Sequence, residues 1–368
     1  MLIKNGKVFI GKEFVSCDVE FDEKIRFLGN SGKQADLDAQ GCYVIPGMVD
    51  LHTHGALGHD FSDGNAAAIQ TLSDYYGNHG VTSFLATTMT LQEETLIQAM
   101  HALRGFARRG GAKCAGVHLE GPFLSCAKRG AQAESCLHKP DIAMFARLQE
   151  ASGGQVKLVT VACEEPGAMD FIRQVSSQCT VSLGHTTADY DTAMAGFAAG
   201  ATHVTHLYNA MMPLHHREPG LIGAALDSGA SVELICDGLH IHPAVVRATA
   251  AMFGDKLNLV SDSLRCAGMP DGNYELGGQP IELKAGKATL QGSDTLAGSV
   301  ISVYEGMKNA VRFGLPLEKA VYAAATAPAQ AVGLTDTGSI AEGKCADLVV
   351  LDQDLNITAV FVDGERIV

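Results

Sequence analysis

What most restricts the fold is an alternation. Short β-rich runs are separated by longer, alanine-rich stretches of helical character, and the pattern repeats through most of the chain. Eight runs fit: Tyr43–Leu51, Thr82–Thr87, Ala115–Glu120, Lys157–Ala162, Val181–His185, His203–His206, Ser231–Asp237 and Leu257–Asp262. Between them the pattern predicts helices, among them Asn65–Asn78, Gln92–Arg109, Ala188–Ala199 and Pro243–Phe253. Strands alternating with helices build a parallel sheet, and eight such units close an α/β (β/α)8 TIM-type barrel. A length of 368 residues accommodates a barrel of roughly 250 residues and a smaller module.

After the eighth run, the turn signals Pro270-Asp271-Gly272 and Gly277-Gly278 predict a loop from Leu264 to Ala297. The last helical stretches, Val300–Arg312 and Leu317–Val332, follow it. The two ends read differently. Met1–Leu28 and Gly338–Val368 are short alternating segments with turn pairs at Asn5-Gly6, Asp22-Glu23 and Asp363-Gly364. They predict a small β-sandwich-like module formed by residues 1–46 and 338–368, with the barrel at 47–337 and Pro46-Gly47 as the passage between them.

Composition narrows the partners. The chain is 46% hydrophobic and 18% charged, which supports a large core and argues against disorder. Its formal net charge is −14 with no Lys/Arg run, so no nucleic-acid partner is expected, and an anionic ligand requires a few placed cations. The ten cysteines form no C-x-x-C pair and read as buried free thiols of a cytoplasmic protein. Met1–Ile10 is charged and does not read as a signal peptide. No run approaches the roughly 18 apolar residues of a membrane span, so no membrane partner is expected.

The chemistry gathers at strand ends, where barrels of this kind carry their sites. Run one continues into His52-Thr53-His54, run three ends at Glu120, run five at His185, run six at His206 and run eight at Asp262. Residues two apart on a strand point the same way, so His52 and His54 face one ion. Glu120, His185 and His206 make a His2Glu set that leaves a coordination position for water, with Glu120 placed to bridge to a second ion at His52 and His54. The donors suit a divalent transition metal, zinc, iron or another first-row ion, with one or two per subunit. Asp262 beside such an ion is the candidate acid/base. His118 shares a face with Glu120 but lies deeper, where hydrogen bonding to other groups suits it better than ligation. His203 is expected on the opposite side of its strand in a structural role. His59, His79, His101, His138 and His242 show no pattern and read as surface or packing residues.

Pro46-Gly47-Met48-Val49-Asp50-Leu51-His52-Thr53-His54 resembles the first-strand motif of the amidohydrolase superfamily. More specific are His118-Leu119-Glu120-Gly121-Pro122-Phe123, Gly184-His185-Thr186 and Thr205-His206-Leu207-Tyr208-Asn209-Ala210-Met211. Arg217-Glu218-Pro219-Gly220, Asp237-Gly238-Leu239-His240, Leu259-Val260-Ser261-Asp262, Leu296-Ala297-Gly298-Ser299 and Ala346-Asp347-Leu348 follow in order. Together they resemble the N-acetylglucosamine-6-phosphate deacetylase family over nearly the whole chain. The resemblance implies metal-dependent removal of an acetyl group from a phosphosugar. It implies Glu120, His185 and His206 as the common metal site, Asp262 as acid/base and His240 as a catalytic and substrate contact. It also implies Asn209 and the Ala210 backbone at the phosphate, and Arg217 reaching it across the interface of a homodimer.

Two departures stand out. Where some family members place a substrate-contacting His, this chain has Gln132, whose amide can still meet a sugar hydroxyl. Ser261-Asp262-Ser263 stands where Thr-Asp-Ala is more usual. N-acetylgalactosamine 6-phosphate, or an acetylated amine without phosphate, is the rival substrate. A barrel kept only for binding is the rival class; it would be expected to lose ligands, and His52, His54, Glu120, His185, His206 and Asp262 are all present.

Overall fold

The computed structural model describes residues 1–368. Eight parallel strands form the barrel: Met48–Thr53, Val81–Thr88, Lys113–Glu120, Val156–Val161, Thr180–Leu183, His203–Val204, Ser231–Ile235 and Leu257–Val260, paired in chain order. The ring closes where Thr53 bridges to Ser263; there Asp262 N–H donates to the His52 carbonyl at 2.8 Å and His54 N–H to the Ser263 carbonyl at 2.9 Å. Helices cover the outer face, so the strands are buried on both sides and read as nearly continuous apolar runs.

The structure refines several sequence expectations. The expected run Tyr43–Leu51 is two strands: Tyr43–Pro46 pairs with strands of the chain ends, and Met48–Thr53 opens the barrel. Gly47 lies between them because a Cβ there would sit 2.1 Å from Thr82 Oγ1. The expected helix Gln92–Arg109 is Glu93–Arg104. It stops at Gly105, and Arg108 is drawn away to the Gly111 carbonyl and the Asp363 carboxylate. Leu317–Val332 is not one regular helix, since a wider turn over Tyr322–Thr326 separates Leu317–Val321 from Ala327–Ala331, just ahead of Pro328, which has no N–H to donate.

The largest correction concerns the stretch expected to be a loop, 264–297. It holds a four-stranded antiparallel sheet, Gly272–Leu276, Gln279–Lys284, Lys287–Leu290 and Leu296–Gly298. Gly277-Gly278 and Ala285-Gly286 are tight hairpin turns in left-handed backbone, and alternate residues Leu276, Ile281, Leu283 and Ala288 bury against Met89, Leu264 and Cys266. All ten cysteines are free, but Cys126 is exposed and only Cys136, Cys163, Cys236 and Cys266 are buried. No helix is long and apolar enough to cross a membrane.

Both chain ends contribute to one further sheet, in which Leu348–Leu351 pairs with Tyr43–Pro46 and Tyr43–Pro46 with Leu2–Ile10. It has its own core of Ile3, Val8, Val19, Phe21, Val44, Leu348 and Phe361. Lys113, from the third barrel strand, ties it down: Nζ lies 2.7 Å from both Asp347 and Asp363. The Asp347 side chain is 1% exposed. Removing one partner of a buried pair leaves the other charge uncompensated. Lys113→Met is therefore expected to lower unfolding free energy by about 3 kcal/mol. Urea denaturation of wild type and variant checks this, and an unchanged midpoint would contradict it.

Candidate metal centre

The six expected residues come together at the C-terminal ends of the barrel strands, all nearly or fully buried. Glu120 is the hub. Its Oε1 lies 3.0 Å from His185 Nε2, 3.1 Å from His206 Nε2 and 3.3 Å from His52 Nε2. Its Oε2 lies 3.1 Å from His54 Nε2. Asp262 Oδ1 completes the ring at 3.4 Å from His54 Nε2 and 3.5 Å from His52 Nε2. His185, His206 and Asp262 have φ of 47°, 27° and 48°, where non-glycine residues are rare. Such strain costs on the order of 1–3 kcal/mol each and persists where the surroundings hold it. It turns these side chains inward as each strand ends.

The donor chemistry fits a cation. His185 Nδ1 lies 2.8 Å from the Lys128 carbonyl, which can only accept, so Nδ1 carries the proton. In the neutral ring Nε2 is then an acceptor, yet it faces a carboxylate oxygen and a second imidazole nitrogen, His206 Nε2, both 3.0 Å away. His52 Nε2 is buried with no hydrogen-bond partner. A positive ion reconciles acceptors converging in this way; of the four groups close enough to hold one, two share Glu120, namely Glu120/His185/His206 and His52/His54/Glu120, and a third, His52/His118/Glu233, lies behind His52. Without an ion, burial opposes the charge on Glu120, but His52, His185 and His206 hold its carboxyl well below the ordinary range.

A cavity of about 440 Å³ opens above these groups. His240 and Asp262 line it, as do Asn209, Ala210 and the tip of the small inserted sheet, Asp294–Gly298. His240 Nδ1 lies 2.7 Å from Asp237 Oδ2; burial disfavours the Asp237 charge, but this bond keeps its carboxyl below the ordinary range. That leaves His240 Nε2 for a ligand.

Two expectations change, those for Gln132 and His203. Gln132 lines the cavity, but both ends of its amide are engaged: Nε2 donates to Glu120 Oε2 at 2.7 Å and Oε1 accepts from Thr90 N–H at 2.8 Å. Its contact is with Glu120. Arg217 is absent from the cavity of its own chain; it is exposed, packs on His216 and faces a separate groove lined by Asp189, Tyr190 and Asp227. His203 does not turn away from the interior. Its Nδ1 meets Ser182 Oγ at 3.1 Å, in a buried row that runs through Thr205 and Thr160 to His118. The sixth strand is only His203–Val204, so its alternation does not extend to His206. His118 is hydrogen-bonded, as expected, to the Leu51 carbonyl and Thr160, and burial keeps it well below the usual imidazole range. Among the patternless histidines, His242 caps the helix Pro243–Phe253 and His79 meets the Tyr75 carbonyl.

Sequence reasoning missed two residues. Lys128 lines the cavity as its only Lys or Arg, with Nζ 3.1 Å from the Met211 carbonyl. Glu233 is fully buried on the seventh strand, 2.9 Å from His52 Nδ1. The signal for it was a carboxylate inside the apolar run Ser231–Ile235, which must have a partner.

Comparison with known proteins agrees with this geometry. The model described as "Amidohydrolase family" matches residues 43–367. The N-acetylglucosamine-6-phosphate deacetylase of Bacillus subtilis (strain 168) is 38% identical, over 99% of this chain and 93% of its own length. An N-acetylgalactosamine-6-phosphate deacetylase of Escherichia coli O157:H7 is 35% identical, over 88% of this chain and 87% of its own. Among solved structures, a mutant N-acetyl-D-glucosamine-6-phosphate deacetylase from Mycobacterium smegmatis, in complex with N-acetyl-D-glucosamine-6-phosphate, superposes with a TM-score of 0.95 at 36% identity. That match covers 100% of this chain and 99% of the other. The chain belongs to the amidohydrolase family and, within it, to the N-acetylglucosamine-6-phosphate deacetylases.

Proposed function

We propose that the protein hydrolyses the acetamide of N-acetyl-D-glucosamine 6-phosphate, giving D-glucosamine 6-phosphate and acetate, with a divalent transition metal held by Glu120, His185 and His206. The observation that carries this is the convergence of four imidazole nitrogens on the single carboxylate of Glu120, with Asp262 beside two of them, at the floor of a cavity. When bound, the ion supplies Lewis acidity, polarising the amide carbonyl and acidifying water. His52, His54 and Glu120 would hold a second ion. Zinc and iron suit the donors best. Asp262 takes a proton from the water that adds to the amide carbon. It returns the proton to the sugar nitrogen as the C–N bond breaks, and acetate leaves. His240, with a proton on each ring nitrogen, donates Nδ1–H to Asp237 and Nε2–H to the amide oxygen.

Asn209, the Ala210 backbone and Lys128 receive the phosphate end inside the cavity. Arg217 completes it from the partner protomer of a homodimer, since within one chain it lies on a different groove. An Arg fork matches phosphate oxygens, and a charge-assisted hydrogen bond lost from such a contact corresponds to roughly ten- to a hundredfold in binding. Arg217→Ala is thus expected to raise KM for the 6-phosphate by roughly that factor and hardly at all for the unphosphorylated sugar. Mixed Arg217→Ala and Asp262→Asn protomers should regain one competent site per heterodimer. Equal losses on both sugars, or a monomeric native protein, would refute the assignment.

The 6-phosphate of N-acetylgalactosamine is the second reading, favoured by the relative named for it. Acetate release from N-acetylglucosamine 6-phosphate, N-acetylgalactosamine 6-phosphate and N-acetylglucosamine separates the readings. The highest kcat/KM is expected on the first; a higher value on either of the others would overturn the substrate assignment.

A further inference from the structure

Glu233 is a buried carboxylate that the proposed chemistry leaves without a role. It lies on the seventh barrel strand, 0% exposed, and no Lys or Arg pairs with it. Burying a carboxylate without such a partner is costly unless its bonds are well placed. Its Oε2 accepts from two donors far apart in the chain, His52 Nδ1–H on the first barrel strand at 2.9 Å and the His206 backbone N–H just past the sixth at 3.0 Å. Its other oxygen, Oε1, makes no hydrogen bond, with His203 Nδ1 at 3.9 Å. The carboxylate is thus committed to two residues of the candidate metal centre.

Each bond has a consequence. A carboxylate facing Nδ1 puts the His52 proton there, so the Nε2 lone pair is turned toward Glu120 Oε1, 3.3 Å away. The same oxygen holds the amide of His206, where the backbone enters its strained φ of 27°. We propose that Glu233 is a positioning residue: it fixes the tautomer and orientation of His52 and steadies His206, and so sets how tightly the ion at His52 is held. This rests on the metal reading given above. Glu233, His52 and His118 are close enough to hold an ion of their own, but both His118 nitrogens are engaged, by the Leu51 carbonyl and Thr160, and the Glu233 oxygen nearest His52 meets the ring on the side away from Glu120, so Glu233 supports His52 rather than ligating. Carboxylate partners of metal-binding histidines are worth about 10- to 100-fold in affinity.

The test needs no turnover. Metal-stripped wild type, Glu233→Gln, His52→Asn and the double variant are titrated with zinc against a chromophoric chelator. Gln keeps the size and one acceptor oxygen for the His206 N–H but removes the charge that pins the His52 proton. Glu233→Gln is expected to weaken zinc binding by about 10- to 100-fold, and to add less than about twofold once His52 is Asn. Unchanged affinity in Glu233→Gln would overturn the proposal, and so would an equal loss in both backgrounds, which marks a merely structural role. Should Glu233→Gln fail to fold, nitrogen-15 spectra of histidine-labelled, metal-free wild type read the ring directly: a proton on Nδ1 of His52 is expected, and one on Nε2 alone overturns the proposal. Wild type that takes up no zinc would overturn the metal reading and this inference with it; equal uptake by wild type and Glu233→Gln overturns only this inference.

Discussion

Asp262→Asn is expected to keep its metal and its substrate and to lose kcat by a factor of roughly 10² to 10⁴. The side chain ends the eighth strand, lines the cavity and points its Oδ1 between His52 and His54, 3.5 and 3.4 Å from their Nε2 atoms. Its backbone is fixed independently, by Asp262 N–H donating to His52 O and Ser299 N–H donating to Asp262 O, each 2.8 Å. Asparagine therefore adopts the same place with the same size, and what it lacks is the ability to take a proton from water and return it to the amine. KM should move little, because the loss falls on the step that transfers protons. Metal analysis with steady-state kinetics checks this. A variant that keeps kcat would remove Asp262 from the proton transfer, and one that loses its metal would show that Asp262 acts as a ligand.

The second large effect is expected from His185→Asn and His206→Asn. Each removes one of two nitrogens that stand 3.0 Å apart and share Glu120 Oε1. Asparagine is too short to restore the contact, and the remaining imidazole and carboxylate make a poor site. Since a bound ion contributes several kcal/mol to stabilising the developing charge, kcat/KM should fall by about 10³ or more, together with metal content after dialysis. His52→Asn and His54→Asn should be milder, because Glu120, His185 and His206 remain intact. Wild-type activity in metal-free His185→Asn or His206→Asn protein would contradict the proposed centre.

The barrel and the His, Glu and Asp residues gathered at its strand ends were legible because their signals are local. An apolar strand that ends in His185 or His206 carries both its burial and its exception in a few residues, and the order of the strands follows the order of the chain. The inserted sheet was harder, because Gly277-Gly278 signals a turn equally well in a loop and in a hairpin. The alternation of Leu276, Ile281, Leu283 and Ala288 separates the two, and it acquires meaning only against the buried partners Met89 and Leu264. Glu233 and Lys128 were missed for a different reason. Their value lies in contacts with His52, 181 residues away, and with Met211, 83 residues away, and no periodicity encodes those. Gln132 stood at a position where resemblance suggested a sugar contact, but its amide is already spent on Glu120 and Thr90. The groove that Arg217 faces is likewise a property of the folded chain, set by how the segment after His206 turns back over Tyr190.

The most direct measurement is acetate release from N-acetylglucosamine 6-phosphate by protein stripped of metal and titrated with zinc or iron(II). The rate should start near zero and rise with added ion. It should reach its plateau at one or two equivalents per chain, the number that Glu120/His185/His206 alone or together with His52/His54 can hold. Full acetate release from the stripped protein, or none at any metal loading, would contradict metal-dependent deacetylation at this site.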